Sequence, residues 1–377
     1  MNEMMTRPAC ACDFETAPAR LTIDLGAIVA NWRHLAALAG PARTAAVVKA
    51  DAYGLGAPEV GRVLATAGCR DFFVATPDEG AVLRNVLPER RIFVLNGVWP
   101  GFETTVLAHD LIPVIASLEQ LSCLLAAAPD HPFALYVDTG MNRLGLTAAE
   151  AVAYAASGGP MPVLVVSHLA CSDDPSHPMN RRQRESFQAV MRPFAGIESS
   201  LSSSAGIFLG ADYHCDLTRP GIALYGGEAV GGVANPMRPV VTAEARVLQI
   251  RHVRKGDAAS YGACHVFNRD SRIAIVGAGY ADGWHRALSG AGVGARRDGS
   301  PGAEGFIAGR RVPLVGRVTM DLTLFDIGDL AEGAVRSGDY IELFGHNIAL
   351  DDAARAAGTI GYELLTSLGS RYARRYM

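Results

Sequence analysis

Only two of the 34 basic residues in this chain are lysines, and one of them, Lys49, sits inside an apolar, strand-like run, Ala45-Ala46-Val47-Val48-Lys49-Ala50. A lysine amine, whose pKa shifts readily, can form a Schiff base or act as a base; a guanidinium that never deprotonates does neither. Arginine is no substitute for such a residue, and the chemistry indicated is covalent work on a carbonyl. Taken alone, a lysine at a strand end more often snorkels to the surface. The following Asp51-Ala52-Tyr53-Gly54-Leu55-Gly56 reverses that weighting, because a strand there runs into a turn where backbone can approach a ligand and a phenol can reach an anion.

Other groups capable of chemistry fall at the ends of other strand-like runs: Asp138 to Arg143, His168, Ser203-Ser204-Ala205-Gly206 and Thr218-Arg219-Pro220-Gly221-Ile222. In a parallel β/α barrel the catalytic groups project from the C-terminal ends of the strands, and phosphate groups commonly bind after the seventh and eighth. A lysine facing a Gly/Ser cradle across a barrel mouth meets the needs of pyridoxal phosphate, whose aldehyde takes an amine and whose phosphate takes backbone N–H donors. Individually the residues have plainer readings. His168 is more often a satisfied barrel histidine, Arg219 a cap on a strand end, and Tyr261 a half-buried tyrosine of a β domain.

The elements that must position these groups are legible as alternating strand and helix patterns from Leu21 to about Gly226, the signature of repeated βα units. Eight strands are predicted: Ala45 to Ala50, Asp71 to Thr76, Arg91 to Asn96, Ile112 to Ala116, Phe133 to Val137, Pro162 to Ser167, Glu198 to Ser202 and Leu217 to Leu224. Amphipathic stretches at Pro58 to Ala67, Leu118 to Ala127 and Arg181 to Pro193 lie between them. Eight units favour a closed (β/α)8 barrel over an open sheet. Beyond Tyr225-Gly226-Gly227, alternating runs at Val241 to Val253, Arg272 to Val276, Val312 to Phe325 and Tyr340 to Phe344 predict a mostly antiparallel β domain. A helix is expected over Asp351 to Leu368. The expected organisation is a flexible leader over residues 1–18, a barrel over 19–236 whose first strand near 20–25 packs on the C-terminal domain, and a β domain over 237–377.

With 377 residues and 49% hydrophobic composition, two cores can be filled. A formal charge of −4 without basic blocks argues against nucleic acid, and no run approaches membrane-spanning length. Arg181-Arg182-Gln183-Arg184 reads as a solvated helix face. Seven scattered cysteines without CxxC spacing suit a reducing cytoplasm and give no zinc site. The run from Ile273 to Gly283 imitates a dinucleotide loop, but its spacing is GxGxxxG, and Gly290, Gly292 and Gly294 interrupt any following helix. His168, Cys171, Asp173, Asp174 and His177 lack a recognised metal-ligand spacing and read as a polar loop.

Taken together, the motifs resemble the alanine racemases over nearly the whole chain, from about Arg20 to Tyr376. Val48-Lys49-Ala50-Asp51-Ala52-Tyr53-Gly54 is similar to that family's pyridoxal-lysine signature. Asp138 to Gly145, Arg219 to Gly226, Ser260-Tyr261-Gly262 and Gly316 to Asp321 match further family blocks, in order. The resemblance implies a homodimeric isomerase whose active sites are each completed by the partner. It makes Lys49 the cofactor lysine and one base, and Tyr261 of the partner subunit the base on the opposite face. It further implies Tyr53, Ser204, Gly221, Ile222 and Tyr362 as phosphate ligands and Arg219 at the pyridine nitrogen. His168 falls beside the cofactor, Arg143 and the Met320 backbone hold the substrate carboxylate, and Asp321 joins a supporting network.

Four positions depart from the family pattern. Tyr136 stands where a lysine, often carbamylated, is usual, so Arg143 is expected to be oriented instead by the Tyr136 hydroxyl, alone or together with a small bound anion. Ser203 replaces a frequent Asn, Leu55 a polar residue, and Trp284 a tyrosine of the substrate's access route. The reading is a pyridoxal-phosphate-dependent racemase interconverting L- and D-alanine. A racemase of broader or shifted specificity, such as for serine, is the alternative, followed by a non-catalytic pyridoxal-phosphate-binding homeostasis protein. The C-terminal domain with Tyr261 speaks against the last. For a bacterial source, peptidoglycan supply and D-alanine breakdown both remain open.

Overall fold

The computed structural model describes residues 13–290 and 302–377; residues 1–12 of the expected leader, and Gly292 and Gly294, lie outside the described residues. The chain divides into two compact units, one of Gly26–Arg238 and one that joins residues up to Leu25 to Pro239–Met377.

In the first unit seven parallel strands follow one another in chain order: Ala46–Val47, Asp71–Val74, Arg91–Val94, Ile112–Ile115, Ala134–Tyr136, Leu164–Val166 and Glu198–Ser200. Their sequences are unbroken apolar runs because parallel strands are covered on both faces; Phe72, Phe73, Ile92, Phe93, Val114, Leu135 and Val165 are all fully buried. The sheet curls until its edges meet an eighth strand. Leu217–Thr218 pairs in parallel with Arg43–Thr44 on one side, and Arg219 N–H donates to Ser202 O at 2.9 Å on the other. At the N-terminal strand ends a cluster of charges joins the Arg43–Thr44 strand with the second, third and seventh strands. Arg43 binds Asp71 at 3.2 Å and Glu198 at 2.8 Å, while Arg91 binds the same carboxylates at 2.5 and 3.0 Å. Helices Ala57–Ala67, Pro77–Arg84, Leu118–Ala127, Ala148–Ala156 and Pro178–Met191 return the chain between strands. Thr76, Ser117 and Thr147 cap three of them by accepting from the backbone N–H three residues on.

All eight predicted barrel strands are shorter than expected, and the two most curtailed end early for local reasons. The eighth ends at Thr218 because Pro220 has no N–H to continue a ladder, and Ile222–Tyr225 coils into a 3-10 turn instead. The first ends at Val47, and Lys49 opens a turn in which Ala50, Asp51, Ala52 and Tyr53 all lie in the left-handed region, at φ between 52° and 58°.

The second unit is built on one strand, Val241–Val253, which is long enough to serve two ladders. Its first half pairs antiparallel with Ala19–Ile23 and Tyr340–Phe344, and its second half with Ser271–Val276. An irregularity between Val247 and Gln249 lets the strand bend from one ladder to the other. Ala19–Ile23 also pairs in parallel with Ala373–Tyr376, and Thr323–Asp326 adds to the far edge. The run expected from Val312 to Phe325 resolves into two strands, Arg310–Pro313 and Thr323–Asp326, separated by the Gly316 to Leu322 loop. The helix expected over Asp351 to Leu368 is two, Leu350–Ala356 and Gly361–Thr366. Gly358 ends the first at φ 69°, a conformation that stops a right-handed helix.

Candidate active site

Lys49 leaves the first barrel strand at its C-terminal end, directly before the left-handed turn. Such a conformation costs roughly 1–2 kcal/mol for each residue with a Cβ, so four in succession demand compensation. Charged hydrogen bonds, worth about 1.5–3 kcal/mol each, supply it. Glu79 accepts from Ala50 N–H at 2.9 Å, and Asp51 accepts from Ala57 N–H at 2.7 Å. Tyr53 packs on Tyr225 with ring centroids 4.7 Å apart and the planes tilted by 36°, and Tyr225 in turn donates to Val47 O at 2.8 Å. The Lys49 amine is pushed below its ordinary pKa, first by burial and then by the Arg143 charge, against the opposing pull of Glu79.

Tyr53 carries the turn toward the loop after the eighth strand. A Cβ built on Gly221 would overlap the Tyr53 hydroxyl, so only glycine lets the phenol reach this backbone. Ser204, after the seventh strand, accepts from Gly221 N–H at 2.9 Å and from Ala223 N–H at 3.3 Å, drawing the two loops together beside Ile222. Two hydroxyls thus converge on a glycine-permitted stretch of backbone, a setting suited to a phosphate group.

Arg219 rises from the eighth strand and is 5% exposed. Its guanidinium donates to Ser200 Oγ and, at 2.6 Å, to Ser167 O, and among the described residues it has no carboxylate partner. Burial pushes it down to about 10, still a cation at neutral pH. His168 lies within Coulombic reach of Lys49, Arg143 and Arg219; burial, followed by Arg219, pushes it down to about 3, so its imidazole is neutral. The four groups therefore share one mouth.

The loop bearing Arg143 is shaped by Asp138, whose carboxylate accepts from the N–H groups of Gly140, Met141 and Arg143 at 2.7, 2.8 and 3.0 Å. The Arg143 side chain is exposed. Tyr136 is buried on the fifth barrel strand, within Coulombic reach of Arg219, and among the described residues it makes no hydrogen bond to Arg143. Gln183 was hidden in the basic run read as a solvated face. It is fully buried, donates to His168 O at 2.9 Å and Thr139 Oγ1 at 3.3 Å, and accepts from Ala170 N–H at 2.8 Å, tying the fifth and sixth loops together. Ser200 and Gln183 are site residues that sequence reasoning missed.

The second unit carries the remaining candidates. Tyr261 is 72% exposed, not half-buried, at the start of a single 3-10 turn. Ser260 Oγ accepts from Arg317 N–H at 2.9 Å and donates to Arg317 O at 3.2 Å, which fixes Tyr261 beside the Gly316 to Asp321 segment. Met320, also exposed, has its carbonyl bonded by Ala281 N–H at 3.0 Å. Gly279 permits this approach, since a Cβ there would overlap the Thr319 and Met320 carbonyls, and the strand before it leads into a three-residue turn and no helix. Arg371 binds buried Asp282 through two bonds of 2.7 Å and Asp321 through a third of 2.7 Å. Tyr362 opens the helix Gly361–Thr366, half-exposed. Trp284 is 1% exposed, so it is a core residue and faces no access route; the exposed aromatic of that segment is Tyr280. Among the described residues no group of three or more His, Cys, Asp or Glu could hold a metal, and no helix is long and apolar enough to cross a membrane.

Comparison with known proteins gives two family matches: the alanine racemase N-terminal domain over residues 23–229 and the alanine racemase C-terminal domain over 240–376. A biosynthetic alanine racemase of Agrobacterium fabrum is 60% identical over 371 residues, covering 97% of this chain and 95% of its own. A catabolic alanine racemase of the same organism is 44% identical over 370 residues, covering 96% and 92%. Among solved structures, alanine racemase from Bartonella henselae with covalently bound pyridoxal phosphate is 38% identical, with a TM-score of 0.88 over 96% of this chain and all of that one.

Proposed function

The chain belongs to the alanine racemase family, isomerases that depend on pyridoxal phosphate, and we propose that Lys49 and Tyr261 of the partner subunit carry out its proton transfers from opposite faces of the substrate. The reaction interconverts L- and D-alanine. Lys49 would hold the cofactor covalently, Tyr53, Ser204, Gly221, Ile222 and Tyr362 its phosphate, and Arg219 its ring nitrogen, with His168 alongside. The convergence of Tyr53 and Ser204 on Gly221 beneath a depressed lysine amine carries this reading. Bound there, the cofactor supplies an electron sink that acidifies the hydrogen on the substrate's α-carbon.

The chain's own groups then divide the work. Arg143, with the Met320 backbone, holds the substrate carboxylate and so fixes which faces of the α-carbon are presented. Lys49, free as an amine at lower pH than an ordinary lysine, is the base for D-alanine, and Tyr261 the base for L-alanine; racemisation needs a proton taken from one face and returned to the other. Arg219 remains a cation and a donor throughout, and facing the ring nitrogen of the cofactor it would disfavour protonation there and so limit side reactions. The active unit is a homodimer. It works in the cytoplasm, a setting that suits the five described thiols, all free. The 60% against 44% identity to the two Agrobacterium fabrum racemases favours the biosynthetic role, supply of D-alanine for peptidoglycan. A purified holoprotein should show an absorbance band that borohydride abolishes, and α-proton exchange with solvent for alanine ahead of serine; preference for serine would overturn the substrate assignment.

Two further outcomes follow from the barrel mouth. In the cofactor-free protein His168 stays neutral down to about pH 3, whereas an unfolded histidine takes up its proton near 6.5. The unfolded state therefore binds more protons between those values, and acid destabilises the fold as pH falls through that window. Replacing His168 with Gln removes this contribution, so the gap in denaturant midpoint between wild type and variant should narrow or reverse from pH 7 to pH 5. A constant gap contradicts a neutral His168.

The second concerns Tyr136, which we assign to orienting Arg143 through a small bridging anion such as chloride. A hydrogen bond to a charged group is worth about 1.5–3 kcal/mol, or one to two orders of magnitude in affinity. Tyr136→Phe should raise KM by roughly that factor with little change in kcat, and bicarbonate should not activate the wild type. Wild-type kinetics for the variant at every chloride concentration would remove Tyr136 from this role.

A further inference from the structure

Glu79 takes no part in the chemistry above, yet it is bonded to the residue next to Lys49. It is the third residue of the helix Pro77–Arg84, and its two oxygens are divided between two strand ends. One accepts from Ala75 N–H, four residues back, at 2.8 Å; the other reaches across to Ala50 N–H at 2.9 Å. The third residue of another barrel helix, Gln120 in Leu118–Ala127, has the same arrangement. Its Oε1 accepts from Ala116 N–H, four residues back, at 2.8 Å, and its Nε2 donates across to Asn96 O at 3.0 Å.

The difference between the two is one of hydrogen-bond polarity. At Gln120 the partners are one N–H and one carbonyl, which an amide matches. At Glu79 both partners are N–H groups, because the left-handed turn presents the Ala50 amide, and only a carboxylate accepts from both. We propose that Glu79 is a positioning residue for Lys49, its carboxylate locking the left-handed turn that aims the amine and placing a counter-charge beside it. Burial and Arg143 favour the neutral amine, and Glu79 is the group that opposes them. A glutamine here would turn an N–H toward an N–H, losing one clamp bond and the charge together.

The inference rests on Lys49 being the cofactor lysine, and the presence of only one other lysine, Lys255, makes a direct test practicable. The full chain is freed of cofactor with hydroxylamine, labelled with traces of isotopic acetic anhydride over a range of pH, and read by mass spectrometry with Lys255 as internal reference. Glu79→Gln should lower the Lys49 midpoint by roughly half a unit or more, since removing an anion disfavours the ammonium. Hydrogen exchange at the Ala50 amide should rise about tenfold, as for one lost hydrogen bond. Thr76→Ala, which removes the cap of the same helix, should lower Tm and leave the Lys49 midpoint alone. Should Glu79→Gln not fold, Glu79→Asp keeps the charge and shortens the reach; Ala50 exchange should still rise while the midpoint stays near wild type. An unmoved midpoint with unmoved Ala50 exchange in folded Glu79→Gln, or Ala50 exchange unchanged in Glu79→Asp, overturns the proposal. Borohydride fixation of the cofactor on the wild type separately tests the Lys49 assignment, so the two failures are told apart.

Discussion

Lys49→Ala should leave no measurable racemisation, a loss on the order of 10⁴-fold or more. On the proposed assignment the variant loses two functions in one step, the covalent hold on the cofactor and the base on one face of the substrate. The cofactor itself need not be lost, because Ser204, Gly221 and the buried Arg219 are set by barrel loops that the substitution does not touch. Non-covalent cofactor should therefore still be retained on gel filtration at raised concentration, while borohydride fixes none of it. The alternative attachment point is Lys255, exposed in a turn of the C-terminal unit. Fixed label at Lys255, or activity surviving Lys49→Ala, would remove Lys49 from the centre of the site.

The motif-bearing parts of this site were legible because each is contiguous. Val48 to Gly54, Asp138 to Gly145 and Arg219 to Gly226 each hold ligand, turn and strand end within one short segment, and the apolar runs of the parallel strands are marked by burial on both faces. What stayed hidden depends on partners distant in sequence. The left-handed turn has no signal in Ala50-Asp51-Ala52-Tyr53, none of which is glycine or asparagine; it is imposed by Glu79, 29 residues on, and by the packing of Tyr53 on Tyr225. Gln183 looked like solvated helix because its neighbours Arg181 and Arg182 are exposed, yet it bonds Thr139 across 44 residues. Ser200 supports Arg219 from the neighbouring strand, a register fact that no local pattern encodes. Trp284, expected on the substrate's access route only from the family pattern at that position, lies in the core: Gly283, in the left-handed region, precedes it, and the exposed aromatic of the segment is Tyr280.

Tyr261→Phe should lower α-proton abstraction from L-alanine by about 10²- to 10⁴-fold, with exchange from D-alanine and borohydride fixation on Lys49 affected far less. The hydroxyl is all that the change removes, so a loss of cofactor in equal measure would mean a structural role. The proposed use of Tyr261 by another subunit accords with its setting: the ring is 72% exposed, and Met320 and Tyr280 are exposed on the segments bonded to its own and to one another. Large apolar side chains are rarely left in water together unless a partner covers them. Mixing Lys49→Ala with Tyr261→Phe protomers separates the two arrangements. If each site combines Lys49 of one subunit with Tyr261 of the partner subunit, a heterodimer has one intact site and one doubly damaged site. Random exchange at equal concentrations makes half the dimers heterodimers, so activity should recover to about a quarter of wild type from two nearly inactive parents. If Lys49 and Tyr261 of the same chain met, every site in the mixture would lack one of them, and confirmed subunit exchange without recovery would exclude the shared site.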